Sequence, residues 1–321
     1  MSLKIGLVGA GSMGRNHARV ISQSTSCSLA QVFDADPTRA ELATRDFGGR
    51  VASDLSSLSD CDGVVIAATT GAHAGIANYF LDAGVPILLE KPLSGVAGEV
   101  DEILNMSKAK TVPMMCGFVE RHNPALATAL SILDEPVVHL YSCRHSPRNL
   151  RTFSSVIGDL LIHDLDLTCR IAPAANAVVH GNTWSPPGVA YPEIADCSIR
   201  YGTEMLAVQS ASRWAQQKIR EVRIATDSLL IDVDLLRVTV TVYRNKSQTG
   251  ISERGVASYR SETVIDLPYV RHAGEPLAMQ LEHFCSLIRQ EVDADQERDS
   301  IAPPHALAFA VARSAGSGEQ I

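Results

Sequence analysis

The sequence predicts an α/β chain in two parts, a doubly wound parallel sheet followed by an α+β domain on a mainly antiparallel sheet. Three observations predict it. Up to about residue 118, short apolar strands alternate with amphipathic helices. A glycine-rich turn follows the first strand. Beyond residue 118, strands succeed one another with short turns and few helices. The 321 residues, 45% hydrophobic and 20% charged, suffice for two cores. The expected domains are 1–118 and 119–321, the last helix being able to pack back on the first domain.

In the first part, Leu3–Val8, Leu29–Phe33, Gly63–Ala67, Ile87–Glu90 and Pro113–Gly117 read as strands. Met13–Gln23, Thr38–Phe47, Gly75–Ala83 and Ala97–Lys108 read as helices. Runs such as VVIAA and PILLE suit parallel strands covered on both faces. In the second part, after a helix at Pro124–Leu133, seven strands are expected: Val137–Cys143, Val178–Trp184, Ser198–Tyr201, Met205–Ser212, Glu221–Ala225, Ser228–Val233 and Leu236–Tyr243. A helix at Asp159–Ile171 interrupts them. The polar stretch Asn245–Arg260 reads as a surface hairpin or loop, and Glu275–Glu291 as a helix.

Composition narrows the function. A net charge of −8 argues against a partner held by nucleic-acid phosphates. Seven scattered cysteines without a CxxC pair suit reduced thiols rather than disulfides or structural zinc. No leader precedes the first strand, and no apolar run approaches the roughly 20 residues of a spanning helix. The expectation is a soluble, cytoplasmic protein without a membrane partner.

The turn Gly9-Ala10-Gly11-Ser12-Met13-Gly14 opens a helix directly after the first strand. Gly9 makes the tight turn, Gly11 lets backbone approach a pyrophosphate, and Gly14 lets helix pack on strand. The helix N-terminus, with Ser12 and Met13, then receives phosphate charge. The next strand ends at Asp34, 20 residues beyond Gly14, where a carboxylate would bind ribose hydroxyls and repel a 2′-phosphate. This is a Rossmann domain for NAD, with NADP the lesser option because of Arg39.

Further on, Glu90-Lys91-Pro92 closes a parallel strand, putting Lys91 at the edge where such sheets bind ligands. GAGSMG, Asp34, the turn Ala68-Thr69-Thr70 with His73, and Glu90-Lys91-Pro92 follow in an order that resembles the Gfo/Idh/MocA family of sugar and polyol oxidoreductases. Gly117–Ala125 and Asp159–Asp166 continue the resemblance over nearly the whole chain. It implies a large open sheet in the second domain, hydride transfer between a sugar carbon and nicotinamide, and a homodimer or homotetramer. It implies Lys91 as catalytic lysine, with Asp159 and His163 as its partner pair. Thr69, Thr70, His73 and Glu90 fall on the cofactor side, and Arg121 and Asn123 near nicotinamide and substrate. Ala-Thr-Thr replaces the family's usual Thr-Pro, and a single Gly158 precedes the second motif.

The chemistry suits these residue types. Alcohol oxidation needs a base near neutral pKa, which His163 offers, and a positive group beside the developing alkoxide, which Lys91 offers. Which of the two takes the proton stays open. Asp159, four residues before His163, shares its helix face and can orient the imidazole or bind a hydroxyl; Asp166 extends that face. No metal is expected. His17 reads as a packed or capping residue, and His139, His180, His272 and His305 show no pattern. Arg121, Arg144, Arg148, Arg151 and Arg170 concentrate between the domains and suit phosphate or carboxylate, Arg121, Arg144 and Arg151 being the substrate candidates. Within the family, this stretch is most similar to UDP-N-acetylglucosamine 3-dehydrogenases and related nucleotide-sugar enzymes. Two alternatives remain: an NAD-binding regulator without turnover, and an NAD-dependent glycosidase.

Overall fold

A computed structural model describes residues 2–148, 154–172, 176–251, 257–271, 274–316 and 321. The first sheet contains β1 (Leu3–Val8), β2 (Cys27–Phe33), β3 (Arg50–Val51), β4 (Gly63–Ile66), β5 (Ile87–Leu89) and β6 (Met114–Cys116). All pairs are parallel, in the order β3-β2-β1-β4-β5-β6. Because the chain winds outward from β1 in both directions, a crevice opens between the carboxyl ends of β1 and β4.

Around this sheet lie α1 (Ser12–Gln23), α2 (Pro37–Phe47), α3 (Thr70–Asp82) and α4 (Ala97–Lys110). Helix α1 buries Gly14, His17, Ala18, Val20 and Ile21, one stripe at helical spacing. Helix α2 starts where it does because Asp36 accepts the Thr38 N–H and Pro37 occupies the first turn. Strands β4, β5 and β6 are buried at every residue, as a sheet covered on both faces requires.

The second sheet has eight strands in the order β14-β13-β12-β11-β7-β10-β9-β8. They are β7 (His139–His145), β8 (Ala177–Trp184), β9 (Ile194–Tyr201), β10 (Met205–Ser212), β11 (Ile219–Ala225), β12 (Leu229–Asp234), β13 (Thr239–Ile251) and β14 (Ala257–Asp266). Only the β7–β10 pairing is parallel. Helix α5 (Pro124–Ile132) is capped by Asn123, whose side-chain Oδ1 accepts the Ala125 N–H. A π-helical turn, Ile157–Leu161, leads into α6 (Ile162–Ile171), which is buried from Ile162 through Thr168.

The chain ends with α7 (Pro276–Ile288), α8 (Ala294–Asp299) and α9 (Ala302–Ser314). Leu277, Leu281, Phe284 and Leu287 of α7 pack with Ile5, Leu7, Ile21 and Leu88, so the chain returns to the first sheet. Another core joins Val64, Ile66 and Leu89 to Leu165, Ile199 and Ile224, locking the two sheets' orientation around α6.

Four features differ from the sequence reading, the first being β3, which at two residues is too short to leave a periodic signal. Residues 245–251 continue β13 and residues 257–260 open β14, and β14 was not anticipated as a strand because its polar sequence lacks an apolar alternation. Helix α8 was missed because it is a short polar turn. Helix α9 was missed because it is buried nearly all round, from Pro304 to Ala312, and carries no amphipathic period.

Candidate active site

A cleft of about 440 Å³ lies where the carboxyl edge of the first sheet meets the π-turn, α6 and the second sheet. Met13, Ala67, Ala68, Thr70, His73, Glu90 and Lys91 line it from one side. Glu120, Arg144, Asp159, Leu160, His163 and Arg220 line it from the other.

The glycine-rich turn fits a dinucleotide. Gly9 has φ +89°, and a Cβ there would lie 2.6 Å from the Ala67 backbone; a Cβ on Gly14 would lie 1.8 Å from the Gly9 carbonyl oxygen. Both must be glycine for the turn to close. Gly11 differs, because a Cβ there meets nothing within 4 Å. That open side, together with a helix start that no side chain caps and no acidic residue opposes, is the space and field a pyrophosphate needs.

Asp34 sits at the end of β2, where it accepts the Ala10 N–H at 2.6 Å and the Asp36 N–H at 2.8 Å. The carboxylate therefore ties the glycine-rich turn to the loop that follows β2. Arg39 is exposed and pairs with Asp36 at 3.4 Å.

Glu90 and Lys91 diverge at the end of β5. Glu90 is buried and bonds His17 Nε2 at 2.7 Å. Burial disfavours its charge, but His17 and Lys91 outweigh this and hold its pKa below the usual value. His73 is buried between two carbonyls, Nδ1 at 2.9 Å from Pro92 O and Nε2 at 3.1 Å from Ala68 O, so it ties α3 to the Lys91–Pro92 turn. Thr69 is the N-cap residue of α3, and Thr70 faces the cleft.

Across the cleft, Lys91 Nζ donates to Asp159 Oδ1 at 2.9 Å and to the Asp159 carbonyl at 2.7 Å. Arg213 Nη2 donates to Asp159 Oδ2 at 2.8 Å. Burial opposes the Asp159 charge, yet Lys91 and Arg213 prevail and hold the carboxyl well below the ordinary carboxylate range. His163 is 8% exposed, and its Nδ1 has no hydrogen-bond partner. Burial first, then the charges of Lys91, Arg144 and Arg220, keeps the imidazole neutral far below its ordinary pKa. Asp159 thus orients Lys91; no side-chain hydrogen bond joins it to His163 among the described residues.

Other expected site residues are turned away from the cleft or already paired within the protein. Arg121 is turned away from the cleft, bonded to both oxygens of Asp166 at 2.6 to 3.0 Å and to Glu297 and Ser300. Asp166 therefore belongs to this buried pair rather than to the Asp159 face. Asn123 is 2% exposed and spent on Ala125, Glu120 and the Leu235 carbonyl. Arg144 lines the cleft, but Asp164 and Glu120 occupy its guanidinium. These arginines read as anion ligands because sequence does not reveal which carboxylates fold against them. Arg151 and His272 lie outside the described residues. His305 accepts the Leu93 N–H at Nε2 and donates from Nδ1 to the Ile301 carbonyl, a structural clamp.

Sequence reasoning missed Glu120, Arg213 and Arg220. Glu120 stood within the quoted Gly117–Ala125 run, but Arg213 and Arg220 carry no local motif; Arg213 follows β10 directly and Arg220 is placed by the β7–β11 register. No group of metal ligands occurs among the described residues.

Comparison with known proteins follows the same lines. Residues 3–118 match the family described as GFO_IDH_MocA, an oxidoreductase family with an NAD-binding Rossmann fold. The chain is 28% identical to a UDP-N-acetylglucosamine 3-dehydrogenase of Acidithiobacillus ferrooxidans over 89% of this chain and 88% of that protein. It is 34% identical to an inositol 2-dehydrogenase of Acidothermus cellulolyticus over 52% of each. A solved structure of the Acidithiobacillus enzyme superposes with a TM-score of 0.84 at 26% identity, covering 98% of this chain and 97% of that one. Levoglucosan dehydrogenase in complex with NADH and levoglucosan shares the fold, with a TM-score of 0.83 at 19% identity, 100% of this chain and 99% of that one being covered.

Proposed function

Starting from residues 3–118 as the NAD-binding domain of a Gfo/Idh/MocA oxidoreductase, we propose that the cleft moves hydride between nicotinamide and a secondary alcohol carbon of a sugar, polyol or nucleotide sugar. The observation that carries this reading is the meeting of Lys91, Asp159 and His163, from two domains, at the mouth of the glycine-rich turn. In this reading residues 1–118 bind the cofactor and 119–321 shape the substrate side.

Gly9, Gly11, Ser12, Met13 and Gly14 would hold the pyrophosphate, and Asp34 the ribose, favouring NAD over NADP. Bound NAD supplies the hydride acceptor. The rest is work for this chain. Lys91, fixed by two bonds to Asp159, presents its charge where the alcohol oxygen becomes negative. His163, neutral and lining the cleft, accepts the hydroxyl proton. Asp159 positions Lys91, and Arg213 holds Asp159.

The relative aligned over 89% of the chain favours C3 of a UDP-N-acetylhexosamine among the substrates. Seven unpaired cysteines support a cytoplasmic setting. Exposed Val178, Trp184, Leu206 and Leu230 on the second sheet support homodimer or homotetramer formation through that face. No described helix is long and apolar enough to cross a membrane.

The test mixes the protein with NAD or NADP and a panel of sugars, inositols and UDP-sugars, following reduced nicotinamide. Reduction with one secondary alcohol supports the reading. NAD binding without any turnover points to a regulator, and release of free sugar with NAD retained points to a glycosidase.

A further inference from the structure

Arg144 of β7 and Arg220 of β11 stand directly opposite each other on neighbouring antiparallel strands. Like charges in that register repel, and an ordinary sheet avoids them. Here a single carboxylate oxygen serves both: Glu120 Oε1 receives Arg144 Nη1 at 2.8 Å and Arg220 Nη1 only at 3.5 Å.

The two arginines are not equivalent. Arg144 is buried, bidentate to Asp164 at 3.0 Å and bonded to Glu120, so its charge is matched on both sides. Arg220 keeps 38% of its side chain exposed, lines the cleft, and touches one oxygen that Arg144 already holds. Glu120 Oε2 goes to Asn123, and Asp159 gives its two carboxylate oxygens to Lys91 and Arg213. The carboxylates of this wall are therefore taken up by other groups, while the guanidinium of Arg220 faces the cleft with donors to spare.

We infer that Arg220 receives an anionic group of the substrate, a phosphate or a carboxylate, and that the cleft selects acidic sugar derivatives over neutral polyols. The inference rests on the dehydrogenase reading for the reacting carbon, but not for the binding. Burial and the Arg144 charge lower the Arg220 pKa, the direction expected of a cation whose second counter-ion arrives with a ligand. A guanidinium fork suits both oxyanions, so the ligand panel distinguishes them.

The experiment is calorimetric binding to the NADH-loaded protein, with turnover assayed in parallel. The probes are UDP-N-acetylglucosamine, glucuronic acid, N-acetylglucosamine and myo-inositol. The wild type should bind one of the two acidic probes more tightly than both neutral ones. UDP-N-acetylglucosamine assigns the anion as phosphate, and glucuronic acid assigns it as carboxylate. Arg220→Gln should shrink that acidic-to-neutral affinity ratio by about 10- to 100-fold, the worth of a charged hydrogen bond. Arg220→Lys, which keeps the charge, should restore part of it. A wild type without acidic preference, or an unchanged ratio in Arg220→Gln, overturns the inference. If the binding pattern holds while no probe is turned over, the dehydrogenase reading falls and the role of Arg220 stands.

Discussion

Lys91 Nζ lies 2.9 Å from Asp159 Oδ1 and 2.7 Å from the Asp159 carbonyl oxygen, so one residue of the π-turn grips the lysine twice. The turn is wider than an α-helical one, and such turns recur at functional sites. The lysine comes from the first sheet and the aspartate from the second part of the chain. Their bond joins the end of β5 to the π-turn across the cleft.

Lys91→Ala should lower turnover by about 10²-fold or more, as loss of a group acting on the transferred proton or its charge does. Asp159→Asn should lower it similarly, and the double variant should be no worse than Lys91→Ala, because both act through one contact. Steady-state kinetics of the three variants decides this. Additive losses would separate the roles of the two residues.

His163 must be neutral to accept a proton. Its pKa lies well below the ordinary 6.5, so protonation, and loss of activity, begins only at lower pH. The acid limb of kcat/KM for alcohol oxidation should therefore fall below pH 6.5. His163→Asn should lose both the limb and about 10² in rate. An acid limb above pH 6.5 would contradict this assignment.

Gly11 and Gly14 should separate binding from folding. Gly11→Ala adds a methyl into open space, so melting should be unchanged while NAD affinity drops about tenfold or more. Gly14→Ala drives a methyl into the Gly9 carbonyl and should cost about 3 kcal/mol or more of stability. Thermal melts with and without NAD measure both effects.

Asp34 binds the Ala10 and Asp36 amides and bears the charge that opposes a 2′-phosphate. Asp34→Ser should weaken NAD and raise the NADP-to-NAD ratio of kcat/KM by roughly tenfold. An unchanged ratio would mean that Asp34 serves only the turn.

His305 contributes a pH dependence of folding. Burial lowers its pKa to about 4, against 6.5 when free. Between those values the unfolded chain binds a proton that the folded one refuses, so stability falls as pH drops from 6.5 towards 4. The full shift corresponds to about 3 kcal/mol. His305→Gln should be less stable at pH 7 but lose less on acidification, as measured by urea unfolding at pH 7 and pH 4.5.

The sequence by itself determined five of the six strands of the first sheet, the glycine-rich turn, Asp34 and the position of Lys91. These are local: strand–turn–helix punctuation, a fixed spacing to the next strand, and a lysine at a strand end are all written in consecutive residues. It also marked Asp159 and His163, because two residues four apart stay close when the π-turn runs directly into α6. Tertiary structure alone decided which arginines meet ligand. Arg121 and Arg144 are consumed by Asp166, Asp164 and Glu120. Arg220 reaches the cleft because strand pairing sets it opposite Arg144, whereas Arg213 is buried against Asp159 and Glu193. A charge is available only when no partner is folded against it, and that depends on pairing between residues far apart in the chain.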